Sequence, residues 1–97
     1  MQSFEEILQD CITLKKAKQS KYRRGDDPLS AFAVSSTAAG IPIHRLIFAR
    51  VVDKMGRLEN FLKESDTGLD IPAMMEECQD CINYLTFEIM SLQRLSQ

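Results

Sequence analysis

The sequence predicts an all-α fold: a helical bundle of three long helices and one short helix, completed by oligomerisation. Three observations predict it. Apolar residues recur at three- and four-residue spacing over three long segments. Two clusters of turn-forming residues, RRGDDP (Arg23 to Pro28) and SDTGLDIP (Ser65 to Pro72), separate the segments. No strand-like alternation of useful length occurs.

Each element has its own signals. Ser3 and Glu6 form a capping box and open a helix from Phe4 to about Tyr22, with Phe4, Ile7, Leu8, Cys11 and Ile12 on one face. A short helix follows from about Leu29 to Ala39. Its many small residues leave its ends loosely defined, and residues 29–40 suit either a lid or close helix packing. Gly40 is a stop, and Pro42 suits the first turn of the next helix. That helix runs to about Glu64, with Ile43, Ile47, Val51, Met55, Leu58 and Leu62 as its expected apolar stripe. Asp70 is an N-cap and Pro72 a first-turn residue for a last helix that reaches about Leu95. Met74, Cys78, Cys81, Leu85, Ile89 and Leu92 form its expected stripe.

At 97 residues the chain is one domain, 1–97. So short a chain buries only part of its surface on folding, which favours sharing a core between subunits. With 44% hydrophobic and 27% charged residues it is not a disordered composition. A net charge of -2 is too small for a protein that binds polyanions over its whole surface, and no groove-reading motif follows the basic stretch Lys15 to Arg24. Direct nucleic-acid binding is therefore not expected. No run of about 18 apolar residues is present, so no membrane span is expected. The acidic start MQSFEEILQD does not suit a signal peptide, and three cysteines are simplest as reduced thiols in a cytoplasm.

The stretch MMEECQDCINYL, Met74 to Leu85, interleaves two signatures. Cys78 and Cys81 make a C-x-x-C; Glu77 and Asp80 make an E-x-x-D. On a helical wheel the cysteines fall near the centre of the apolar stripe, as small buried residues. Zinc would need two more ligands, and Cys11 and His44 form no standard second pair. The acids fall on the flank, with Tyr84 and Glu88. They are either a solvated boundary or a site where two carboxylates one turn apart share a hard cation such as Mg²⁺.

Cations make the second constellation. Asp53 and Arg57, four apart, can pair together with Arg50. Lys54 falls inside the apolar arc, where it must snorkel out or find an anion. The first helix continues its stripe as Lys15, Lys18 and Tyr22. Either this helix end overhangs the core, or it forms the rim of a phosphate pocket. His44, the sole histidine, suits a core or interface role.

The order Lys21-Tyr22, Gly25-Asp26, Asp53-Lys54 with Arg57-Leu58, Glu76/Glu77, and Asp80 with Asn83-Tyr84 resembles the MazG-like all-α nucleoside triphosphate pyrophosphohydrolases. It is closest to the small phage-associated branch of nucleotide-modification-associated domains. The resemblance spans roughly Lys18 to Leu85. It implies a dimeric or tetrameric bundle, Mg²⁺ on helix carboxylates, and cleavage of a (deoxy)nucleoside triphosphate to monophosphate and pyrophosphate. Carried over, Asp53, Glu77 and Asp80 are the catalytic and metal-holding acids, with Glu76 the alternative to Glu77. Lys54 and Arg57 would face phosphates or pair with the acids, and Lys15 or Lys18 would hold phosphate. Tyr22, Asn83 and Tyr84 would contact base or sugar. The family's upstream E-x-x-E is missing between Pro42 and Glu64, so hydrolysis lacks its first acidic pair. Three functions follow: a Mg²⁺-dependent hydrolase, a non-catalytic nucleotide binder, and a helical protein-interaction module. The sequence sets neither base nor sugar preference.

Overall fold

The computed structural model describes residues 1–22, 25–63 and 68–97. Among them it has four helices and no strand: α1 (Phe4–Tyr22), α2 (Ser30–Ala39), α3 (Ile43–Lys63) and α4 (Ile71–Leu95). The described parts of the turn-forming stretches, 25–28 and 68–70, fall between helices as expected, and Ile71 and Pro72 open α4; Arg23, Arg24 and residues 64–67 lie outside the described residues.

The helix ends follow from local chemistry. Both arms of the capping box form: Glu6 N–H donates to Ser3 Oγ at 3.1 Å, and Ser3 N–H donates to Glu6 Oε1 at 3.2 Å. Gly40 ends α2 in the left-handed region at φ 66°, where a side chain would be strained. Asp70 caps α4 by accepting a hydrogen bond from Ala73 N–H at 3.2 Å.

Helices α3 and α4 form an antiparallel hairpin, because Arg57 meets Glu77 while Ile47 meets Phe87. Helix α2 packs on α3, and α1 on α4. The core is small. Leu29, Ile47 and Phe87 are buried together, with Phe32, Ile43, Tyr84 and Met90 around them. Cys11 and Cys81 are also buried. Leu29 is placed by the preceding turn, where Asp27 Oδ1 accepts from Leu29 N–H at 2.9 Å. Arg94 fastens that turn to the end of α4 through Asp27, at 2.6 and 3.3 Å.

The expected apolar stripes need correction. On α4 only Met74 and Cys81 face inward; Cys78, Leu85, Ile89 and Leu92 are exposed. Asp80, expected at the edge, is buried instead. On α3, Met55 and Leu62 are exposed, while Lys54 and Phe61 turn inward. On α1, Phe4, Ile7 and Ile12 are exposed. The physical reason is shared: each helix has more apolar positions than one small core can cover. The radius of gyration is 15.1 Å, against about 12.5 Å for a compact chain of this length.

Candidate functional site

The inward face of α4 carries Glu77, Asp80, Tyr84 and Phe87, spaced three or four apart, with Cys81 beside Asp80. Antiparallel α3 brings Lys54 opposite the first two. Lys54 Nζ stands 3.0 Å from Asp80 Oδ2 and 3.2 Å from Glu77 Oε2. From α1, Lys18 Nζ donates to Asp80 Oδ1 at 2.7 Å. Arg57 Nη1 donates to Glu77 Oε1 at 3.3 Å. Three cations therefore clasp two carboxylates.

This cluster is largely out of water. Side-chain exposure is 15% for Lys54, 14% for Glu77 and 9% for Asp80, but 51% for Lys18 and 62% for Arg57. Burial alone would raise the Asp80 carboxyl. Its contacts with Lys18 and Lys54 outweigh burial and hold it below the usual aspartate range. Burial alone would lower the Lys54 ammonium. Its contacts with Asp80 and Glu77 outweigh that and hold it above the usual lysine value. One oxygen is left over: Glu77 Oε2 is buried and makes no hydrogen bond, only the 3.2 Å ion pair.

Beside the cluster lies a pocket of about 450 Å³, within the usual range for small-molecule sites. Lys15, Lys18 and Gln19 line it from α1, and Arg50 from α3. Asp80, Asn83, Tyr84 and Phe87 line it from α4, and Pro28, Ala31 and Phe32 close it. Phe32 packs edge-on against Tyr84, at 6.3 Å between ring centres, and against Phe87 at 5.6 Å. Lys15 Nζ lies 5.6 Å from the Phe87 ring centre. Asn83 Nδ2 donates to the Cys11 carbonyl at 3.0 Å, so this side chain ties α1 to α4 as well as lining the pocket.

The structure thus brings together Lys15, Lys18, Lys54, Arg57, Glu77, Asp80, Asn83 and Tyr84. Asp53 and Glu76 are exposed and outside the cluster. The expected pairing of Asp53 with Arg57 and Arg50 is not formed among the described residues: Arg57 serves Glu77, and Arg50 lines the pocket. The side chain of Tyr22 lies outside the described residues. The C-x-x-C is split, with Cys81 buried and Cys78 exposed, and all three thiols are free. Burial pushes the Cys11 and Cys81 thiols up, away from reactivity.

Sequence reasoning missed Gln19, Arg50, Phe32 and Phe87 as site residues. Two were readable. Arg50, Lys54 and Arg57 fall at i, i+4 and i+7, and Gln19 lies four after Lys15. Nothing in the local pattern places Phe32 on Tyr84, since that contact depends on how α2 folds back.

Mg²⁺ must be tested against these residues. Of its four expected ligands only Glu77 and Asp80 meet, and the Lys54 ammonium contacts both. Among the described residues no three His, Cys, Asp or Glu side chains are placed to share a metal. The arrangement does not fit a resident Mg²⁺, because its carboxylates are already neutralised.

Fold and site together define a small all-α chain with a buried carboxylate–ammonium cluster beside a cation-rimmed, aromatic-walled pocket. No family model, curated protein or solved structure matches it significantly. Among the described residues no single helix is long and apolar enough to cross a membrane.

Proposed function

We propose that the chain binds a (deoxy)nucleoside triphosphate in the pocket between α1, α2 and α4. One observation carries this reading. Lys15, Lys18 and Arg50 converge on a pocket whose walls are Phe32, Tyr84 and Phe87. The cations suit phosphates and the rings suit a base. Asp80 positions Lys18, and Asn83 keeps α1 seated on α4. The MazG-like resemblance supports the same ligand. The test is thermal stabilisation across a panel of ribo- and deoxynucleoside triphosphates. A ligand at a hundredfold excess over its Kd adds about 2.7 kcal/mol, which for a domain this small is about 10 °C or more in Tm. No shift with any nucleotide, with or without Mg²⁺, refutes the reading and favours a protein-interaction module.

The second reading is hydrolysis to monophosphate and pyrophosphate with Mg²⁺. It draws on the meeting of Glu77 and Asp80 one turn apart and on the unbonded Glu77 Oε2. It requires Lys54 to leave the carboxylates. Pyrophosphate release in Mg²⁺, absent in chelator and lost in Asp80→Asn, is the result that supports it.

The assembly we infer is a homodimer or homotetramer, in a cytoplasm where such nucleotides and free thiols are found. On α4, Ile71, Met75, Cys78, Ile82, Leu85, Ile89 and Leu92 alternate four and three apart, and all but Ile82 are exposed. That is the spacing of a helix-pairing seam.

A further inference from the structure

We propose that Lys54 takes the place of a divalent cation, so that the site binds a polyphosphate free of metal. The proposal rests on the nucleotide reading above and specifies the ionic form of the ligand. Lys54 sits on the inward arc of α3 with Ile47, Val51 and Leu58, and its side chain is 15% exposed. Its ammonium bridges the two carboxylates that a metal would bridge, at 3.0 and 3.2 Å. Lys18 and Arg57 hold the remaining oxygens of Asp80 and Glu77 at 2.7 and 3.3 Å.

The charge balance points the same way. Lys18, Lys54 and Arg57 against Glu77 and Asp80 leave the cluster one positive charge in excess. Lys15 and Arg50 on the pocket lining add two more. A divalent ion placed between the carboxylates would stand beside a largely buried ammonium whose ion pairs, among the described residues, are with Glu77 and Asp80 alone. Mg²⁺ also gives up its water reluctantly. A metal-bound triphosphate carries two fewer negative charges than the free one, so this surplus of cations favours the free anion.

Two measurements on the full chain test the proposal. The first is calorimetric titration with inorganic tripolyphosphate, in chelator and in excess Mg²⁺. The second is Mn²⁺ uptake followed by electron paramagnetic resonance, on the native chain, Lys54→Met and Lys54→Met/Asp80→Asn. The expected result is tripolyphosphate binding at least about tenfold tighter in chelator than in Mg²⁺. The native chain takes up no Mn²⁺, Lys54→Met takes up one ion per chain, and the double variant takes up none. Lys54→Gln repeats the test should Lys54→Met lose its helical circular dichroism, and the native arms stand without either. Native Mn²⁺ uptake, or tripolyphosphate binding only with Mg²⁺, overturns the proposal. Tripolyphosphate binding in neither medium overturns the polyphosphate half of the proposal together with the nucleotide reading. In that case Mn²⁺ uptake confined to Lys54→Met still upholds Lys54 as the substitute cation.

Discussion

The two faces of α4 contrast in a way that runs against simple hydrophobic patterning. The inward face presents Glu77, Asp80, Tyr84 and Phe87 to α1, α2 and α3. The outward face presents Ile71, Met75, Cys78, Leu85, Ile89 and Leu92 to the surroundings. The charged face is the buried one. A buried carboxylate is tolerated only when paired, and Lys18, Lys54 and Arg57 supply the pairing. An exposed apolar row of this length marks a contact surface. The proposed function puts the ligand on the inner face and another copy on the outer one.

The largest way to break this contrast is on the inner face. Asp80→Ala strands Lys54 without its nearest anion, at 15% exposure. Glu77 still pairs with Lys54 at 3.2 Å, so the loss stays below that of a wholly unpaired buried charge and is about 1 to 3 kcal/mol; Lys18, half exposed, adds little. Urea denaturation should show a loss of that size, whereas Asp53→Ala, fully on the surface, should leave stability nearly unchanged.

Next is the outer face. Leu85→Glu should leave the helical content intact but raise the dissociation constant of the oligomer about a hundredfold, since burying one leucine contributes about 1.5 to 3 kcal/mol. Sedimentation across a concentration series measures it. Unchanged association would mean that the seam is not the contact.

Acid sharpens the inner side. Asp80 has a depressed pKa, so its contribution is complete above the unfolded value of about 3.9 and is lost as pH falls through the folded value. Glu88 behaves oppositely. Burial raises its carboxyl and His44 only partly offsets this, so stability falls as pH rises through its titration. Glu88→Gln should thus gain stability at neutral pH and none well below pH 4, and the Asp80→Ala penalty should shrink in acid. Tm measured from acid to neutral pH checks both.

The smallest effect is chemical. Buried Cys11 and Cys81 should react slowly with a thiol reagent. Cys78, exposed on the single chain, should react fast in Leu85→Glu and more slowly in the native chain if the proposed seam covers it.

How much of this was legible in the sequence differs by level. The four helices and their caps were, because Ser3 with Glu6, Gly40 and Asp70 act locally. The demand that Lys54 find an anion was also legible, because a cation in an apolar arc has few alternatives. The orientation of α4 was not. Its hydrophobic stripe is genuine, but periodicity cannot say whether a stripe meets its own chain or another. Here the ion pairs to Lys18 and Lys54 turn Asp80 inward, and Cys78 goes outward with Leu85 and Ile89. The aromatic wall of the pocket was hidden too, since Phe32 reaches Tyr84 only through the fold of α2 over the hairpin.

On the proposed function, ligand meets the inner face of α4 while the outer face meets another copy. Amide chemical-shift mapping during titration with the most stabilising nucleotide tests it most directly. Shifts are expected at Lys15, Lys18, Gln19, Phe32, Asn83 and Tyr84, with Met75, Leu85, Ile89 and Leu92 unmoved. Shifts confined to the outer residues, or none at saturating nucleotide, would contradict it.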